Sequence, residues 1–247
     1  MNPRISTVIR KELREFRRNK FVVGSMVVLP VVFLAIPVTN ALSLKASAGN
    51  VAIKAVVEGG TLLMLLVPLI LPTTLAAYAI VGEREQATLE PVLTTPVTRE
   101  EYLLGKALAV VVPTTLVAWT LFAIFIVVLR AWAIPQVVHL VFTPGVIATE
   151  LVFAPFLATF SIWIGLAFSV RSSDVRAAQQ LAALAILPMI GISALFTFKV
   201  VHPSFAILAA AFAVLVALDF VGWRVVSAMF DRERLLTGYG RGADRAV

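Results

Sequence analysis

Six long stretches of the chain are dominated by apolar residues and contain no Asp, Glu, Lys or Arg. They cover residues 21–44, 59–82, 107–129, 151–170, 177–198 and 200–218, and each is 19 to 24 residues long. A helix that crosses the hydrocarbon core of a bilayer needs about 20 apolar residues. The pattern therefore predicts an all-α, polytopic membrane protein with six transmembrane helices.

A seventh stretch, residues 131–149, is also uncharged but differs in composition. It contains Pro135, Gln136, His139 and Pro144, which break a helix or place polar groups in hydrocarbon. A seventh crossing would also invert the orientation of every later span. We therefore expect this stretch to be an outer loop, in part re-entrant or interfacial.

The segment before the first span has a helical period of its own. Ile5, Val8, Ile9, Leu13 and Phe16 follow i, i+3 and i+4 spacing, and basic residues occupy the rest of the circumference. A helix of this kind lies in the headgroup plane with its apolar stripe in the acyl boundary. The sequence thus predicts an N-terminal interfacial amphipathic helix.

Composition agrees with a membrane protein and excludes several other classes. The chain is 60% hydrophobic and 14% charged, whereas a soluble domain has about 45–50% apolar and about 25% charged residues. Cysteine is absent, which excludes a disulfide scaffold and a thiolate metal site, and the two histidines are far apart in sequence. We expect no metal site.

The distribution of the basic residues predicts the orientation. With the N-terminus in the cytoplasm, 17 of the 21 basic residues lie on inner segments and four on outer ones. We therefore predict a multi-pass protein of the inner (plasma) membrane with both termini cytoplasmic: a connecting helix at 1–20, a transmembrane domain at 21–225 and a tail at 226–247. The net charge of +7 sits beside apolar spans, so we expect lipid headgroups as its partner and no nucleic acid.

The inner loop between spans two and three concentrates charge. Residues 82–106 hold eight of the 35 charged residues. Leu89, Leu93 and the valine between them have helical spacing and predict a short helix, which Pro96 ends. Thr98 with Glu101 then forms a capping box for the next helix. A short helix here would act as a lever, because a force applied to it moves spans two and three.

Two segments resemble a known family. The run from Gly82 to Lys106 reads G-E-R-E-x-x-T-L-E-x-x-L-x-T-P-V-x-R-x-E-x-L-L-G-K, and Ile9 to Phe16 reads I-R-K-E-L-R-E-F. Both are similar to the corresponding segments of the ABC-2 type permeases, the membrane subunits of ABC exporters. With six spans, the resemblance covers the whole chain.

The resemblance implies a bacterial half-transporter. Two permeases, identical or related, would form the pathway, and two separate ABC ATPase subunits would dock on the cytoplasmic side. Residues 1–20 would be the connecting helix, and residues 83–96, in a coupling loop at 83–105, would include the coupling helix. The implied ATPase contacts are Glu83, Arg84, Glu85, Thr88, Leu89, Glu90, Leu93, Thr95, Pro96 and Arg99.

The chain has no phosphate-binding loop of its own. The pair Gly105-Lys106 is followed by Ala107, and Glu100 stands where the pattern G-x-x-x-x-G-K-[ST] needs its first glycine. We expect no catalytic site and no cofactor in this chain, and we expect ATP and Mg to bind the partner ATPase.

Three acidic residues flank or enter the predicted spans. Glu58 and Glu150 lie near outer ends, where we expect them to contact water. Asp219 lies inside the inner end of span six, where we expect an ion pair with a basic residue of the N-terminal helix or with Arg224.

The function best supported by the sequence is an exporter permease that works by alternating access. An alternative is a membrane subunit whose ATPase drives mechanical or regulatory work other than transport. A secondary transporter is a weaker alternative, because repeats and charged midplane residues are not evident. An intramembrane enzyme lacks a paired nucleophile and base or clustered acids. The substrate stays open: a pathway lined by Thr, Ser, Phe and Leu suits lipids, amphipathic drugs or peptides, but the same residues also fill helix interfaces.

Overall fold

The computed structural model describes residues 3–45, 47–85, 97–172, 174–200 and 204–229, and this part of the chain is helical without any β-strand. Its helices are α1 (Pro3–Arg18), α2 (Lys20–Leu42), α3 (Asn50–Glu85), α4 (Arg99–Trp132), α5 (Pro135–Val141), α6 (Pro144–Arg171), α7 (Val175–Thr197) and α8 (Phe205–Met229). The predicted all-α class is confirmed.

Six of these helices, α2, α3, α4, α6, α7 and α8, are long and apolar enough to cross a membrane. The stretch 131–149 does not form a seventh. It contains the seven-residue α5 and the first turns of α6, each of which begins at a proline in the first helical position. Val137 and Val141 of α5 are fully buried against residues of α3 and α4. The chain thus turns back on itself here, as predicted.

Several helices extend beyond the uncharged stretches. α3 has 36 residues, a length of about 54 Å at 1.5 Å per residue, so its ends project beyond a hydrocarbon core of about 30 Å. The last uncharged stretch, 200–218, differs from its helix at both ends, because α8 runs from Phe205 to Met229, whereas the predicted transmembrane domain already extended to residue 225. A charged residue such as Asp219 does not end a helix, and the uncharged stretch therefore marked the wrong limits.

The N-terminal segment is helical over Pro3–Arg18 (α1), and part of its apolar stripe is used for packing inside the protein. Val8 and Phe16 are buried in a cluster that also contains residues of α3, α4, α6 and α8, whereas Leu13 is exposed. Its position at a membrane interface stays a prediction.

Two ends of the bundle can be distinguished. At one end, Val8 of α1 touches Gly105 of α4, and Arg99 Nη2 donates to Ser227 Oγ of α8 at 3.3 Å. The start of α4 and the end of α8 therefore lie together beside α1, as an even number of crossings requires. We call this the α1 end and the other the α5 end.

α3 is the central helix and packs most extensively against α6. A Cβ atom at Gly165 of α6 would lie 2.5 Å from Ala76 Cβ and 3.3 Å from the backbone of Thr73. The hydroxyl of Ser169, one turn further on, accepts hydrogen bonds from the amides of Ile80 and Val81 at 3.3 and 3.1 Å. Small residues thus bring the two helices into backbone contact, the usual way in which transmembrane helices associate.

The substitution Gly165→Ala is expected to destabilise the protein by about 1–3 kcal/mol, the usual cost of overpacking. Thermal unfolding of the purified protein in detergent measures this loss. The matched control is Gly191→Ala in α7, where a Cβ atom meets nothing within 4 Å and where alanine favours the helix by about 1 kcal/mol. The double variant Gly165→Ala/Ala76→Gly removes the closest clash and should recover part of the loss. Equal midpoints for the two single variants would contradict close packing at Gly165.

Candidate functional site

A buried group of charged and polar side chains lies at the α1 end, where α1 crosses the end of α3 and the start of α4. We call it the charge cluster, and its members are Lys11, Glu12, Glu83, Tyr102 and Lys106. It connects three helices that are distant in sequence.

Lys106 is the centre of the charge cluster. Its side chain is 0% exposed, and its Nζ lies 2.8 Å from Glu12 Oε1 and 3.2 Å from Glu83 Oε1. Glu83 is 5% exposed and also accepts hydrogen bonds from Lys11 and from the hydroxyl of Tyr102. One lysine thus bridges an acid of α1 and an acid of α3.

Local sequence explains why these residues meet. Tyr102 and Lys106 are one turn apart and share a face of α4. The helix start is set by the predicted capping box, which is confirmed: Thr98 Oγ1 accepts from the amide of Glu101 at 3.2 Å, and Glu101 Oε2 accepts from the amide of Thr98 at 2.9 Å. Between the two cluster residues, Gly105 lacks a side chain, so α1 can approach α4 closely.

In the charge cluster, the cost of burying each charged group is offset by the opposite charges beside it. Burial raises the pKa of Glu12 above its usual range, although the ammonium groups of Lys106 and Lys11 favour its ionised form. For Lys11, burial and Lys106 act to lower the pKa, but Glu83 and Glu12 outweigh them and the pKa is raised. Buried charges are tolerated when they are paired in this way.

The charge cluster does not fit a metal ion. Carboxylate oxygens of Glu12, Glu15 and Glu83 lie within 4.8 Å of one another. However, Lys106 contacts Glu12 and Glu83, and Lys11 Nζ lies 3.2 Å from Glu15 Oε1. Two ammonium groups therefore already occupy the positions where a cation would bind these acids.

The predicted ATPase-contact residues fall into three groups. Thr88, Leu89, Glu90, Leu93, Thr95 and Pro96 lie outside the described residues, as does the predicted short helix. Arg84 and Glu85 belong to the last turn of α3. Of the remaining two, Arg99 is half-buried and bonds Ser227, and Glu83 is buried by residues of its own chain.

The three acids predicted near membrane depth have different environments. Glu58 is half-buried, with its Oε1 3.8 Å from Nζ of Lys199. Glu150 is 4% exposed, contrary to the expected contact with water, and its Oε1 has no hydrogen-bond partner among the described residues. Its burial arises because α6 packs its first turns against neighbouring helices.

The predicted ion pair of Asp219 was wrong for the part of the chain that the structure describes. Both of its carboxylate oxygens are buried there without a hydrogen-bond partner. Arg224 instead lies over the ring of Phe220, 5.0 Å from the centroid. Residues five positions apart on a helix face different directions, so Arg224 could not turn back to Asp219.

Sequence reasoning did not single out Lys11, Glu12, Tyr102 and Lys106 as site residues. A signal was present, because all four lie inside the two segments on which the family resemblance rests.

The comparison with protein families agrees with this arrangement. A model of the ABC-2 family transporter proteins matches residues 6–209, which is more than half of the chain. The matched range begins in α1, ends in α8 and includes every member of the charge cluster. No curated protein matches the chain significantly.

Proposed function

The chain belongs to the ABC-2 transporter family, and we propose that it is the permease subunit of an ATP-driven exporter. In this proposal it works as a dimer, of identical or related permeases, together with separate ABC ATPase subunits. The observation that supports this best is the charge cluster, which joins α1, α3 and α4 at the end of the bundle where the coupling loop connects α3 to α4.

Force transmission follows from this connection. A displacement of residues 86–96 acts directly on the end of α3 and the start of α4, and the charge cluster makes α1 move with them. α3 in turn packs against α2, α6 and α7, so its movement reaches the other spans. A bundle with these contacts can change between two packed arrangements when the ATPase subunits close on ATP.

The proposed ATPase contact lies in the coupling loop. We assign it to Arg84, Glu85, Thr88, Leu89, Glu90, Leu93, Thr95, Pro96 and Arg99. Glu83 supports this contact from inside, because its carboxylate is bound by Lys106, Lys11 and Tyr102. The α1 end then faces the cytoplasm of a bacterial cell, the chain is an inner-membrane protein, and ATP and Mg bind the partner subunit.

The experiment that tests this proposal is purification of the tagged chain from its own cells, with identification of any ABC ATPase that co-elutes. We expect the tagged permease to retain the ATPase in detergent, in equal subunit numbers, and to change its rate of ATP hydrolysis after reconstitution. An ATPase from an unrelated exporter is the control. Failure to retain any ABC ATPase would contradict the proposal, whereas retention without any ATP-driven export would favour the alternative of mechanical or regulatory work.

A further inference from the structure

A large cavity opens at the α5 end, between α3, α6, α7 and α8. Its volume is about 600 Å³, within the range of about 300–1,000 Å³ usual for small-molecule sites. Apolar side chains form most of its wall, among them Phe153, Leu157, Met189 and Leu215. It is distant from the charge cluster, because the two lie at opposite ends of α3, the helix that they share.

One buried acid lines this cavity. Glu150 lies about 9 Å along α6 from the first residue of that helix. It is 4% exposed, and its Oε1 has no hydrogen-bond partner among the described residues. A buried oxygen of this kind costs free energy unless a partner satisfies it. Glu150 is among the residues that line the cavity, so a ligand bound there can supply this partner.

The other charged residues that line the cavity are more exposed. Lys54 and Lys199 are exposed, and Lys199 is paired with the half-buried Glu58 at 3.8 Å. The basic groups therefore lie at the opening, where water solvates them, and the acid lies within the apolar part. This arrangement suits a ligand whose positive group reaches Glu150 and whose apolar body fills the rest of the cavity.

We propose that this cavity binds an amphiphile with a protonated amine, whose ammonium group pairs with the carboxylate of Glu150. This inference rests on the proposed permease function in one respect, because it names the class of molecule that the exporter would carry. Binding itself needs neither the ATPase nor ATP. The binding measurement below can therefore fail while the coupling to an ATPase holds, and the reverse is equally possible.

An acidic amphiphile is disfavoured by the same geometry. Its carboxylate or phosphate would lie against Glu150 if the apolar body filled the cavity. If the headgroup instead stayed with Lys54 and Lys199 at the opening, it would leave the Glu150 oxygen without a partner. A neutral alcohol can donate one hydrogen bond but lacks the charge attraction that strengthens a bond to a carboxylate.

The test uses the full-length protein in nanodiscs of phosphatidylglycerol and three ligands with one chain length: tritiated dodecylamine, dodecanol and dodecanoic acid. We expect saturable binding of the amine that exceeds that of the other two. Glu150→Gln should weaken amine binding roughly tenfold or more and leave dodecanol unchanged, because it keeps the shape and removes only the charge. Glu100→Gln, at an exposed position of the α1 end, is the matched control and should stay within about twofold of the wild type.

Two further measurements complete the test. Ser193→Phe adds a ring to the cavity wall and should reduce binding of the amine and of dodecanol alike. Nanodiscs that contain phosphatidylethanolamine identify the source of the amine. If this lipid competes with dodecylamine, the site is assigned to a membrane lipid, and if it does not compete, the site is assigned to a free amine. Equal affinity for amine and alcohol, or full amine binding by a folded Glu150→Gln variant, would overturn the inference.

Discussion

Replacement of Lys106 by Met is expected to lower the free energy of unfolding by about 3–5 kcal/mol, the usual cost of removing one partner from a buried ion pair. The substitution keeps the apolar stem but removes the ammonium group that contacts Glu12 and Glu83. These acids, 2% and 5% exposed, keep their contacts with Lys11, and Glu83 keeps that with the hydroxyl of Tyr102, but both lose the ammonium group of Lys106. A fall in the thermal midpoint on the order of 10 °C should result.

The same substitution should also release α1. Because the chain has no cysteine, a single cysteine at Val8 reports the contact between α1 and α4 without further changes. In an otherwise wild-type protein this cysteine should be protected from maleimide, since Val8 is 7% exposed. In the Lys106→Met background it should be labelled readily.

Two controls make this result specific to the charge cluster. Lys199→Met removes a lysine whose side chain is 57% exposed and lies 3.8 Å from Glu58, and such exposed pairs contribute about 0–1 kcal/mol. The double variant Lys106→Met/Glu12→Gln removes one of the two acids that lose the Lys106 contact and should recover part of the midpoint. Unchanged midpoint and labelling in Lys106→Met would mean that the cluster does not hold α1.

The number of spans could be predicted because it depends on local composition. A helix in hydrocarbon satisfies its own backbone hydrogen bonds, so an apolar stretch of sufficient length specifies a span without reference to the rest of the chain. The capping box at Thr98 and Glu101 was predictable for the same reason, since its two bonds join residues three positions apart. The limits of α8 were not, because a charged residue does not end a helix.

The charge cluster and the cavity could not be predicted, because each depends on distant parts of the chain. Lys106 meets Glu12, 94 positions earlier, and Glu83 meets Lys11, 72 positions earlier. Composition shows that each of these residues is charged but not which residue it faces. The burial of Glu150 likewise follows from how α6 packs in the bundle, which no property of the adjacent sequence reports.

The proposed coupling and the proposed ligand site share one helix. α3 contributes Glu83 to the charge cluster at one end and Glu58, Thr61 and Leu65 to the cavity at the other. Because α3 is continuous over 36 residues, a displacement at the coupling loop changes the cavity wall without an intermediate element. In the proposed mechanism, movement of α3 is therefore the simplest link between ATP binding by the partner subunit and the shape of the cavity wall.

Loss of ATPase binding is expected when Leu89 and Leu93 of the coupling loop are both replaced by Asp. Each leucine that leaves an apolar groove costs about 1.5–3 kcal/mol, so the double variant should lower the affinity for the ATPase roughly 100-fold or more. ATP-driven export should be abolished while the thermal midpoint stays close to that of the wild type. The matched control is Ser43→Asp/Ser47→Asp, which adds the same charge to exposed positions at the α5 end. Wild-type export by a folded Leu89→Asp/Leu93→Asp variant would contradict the assigned coupling surface, and impaired ATPase binding by the control would show a general effect of added charge.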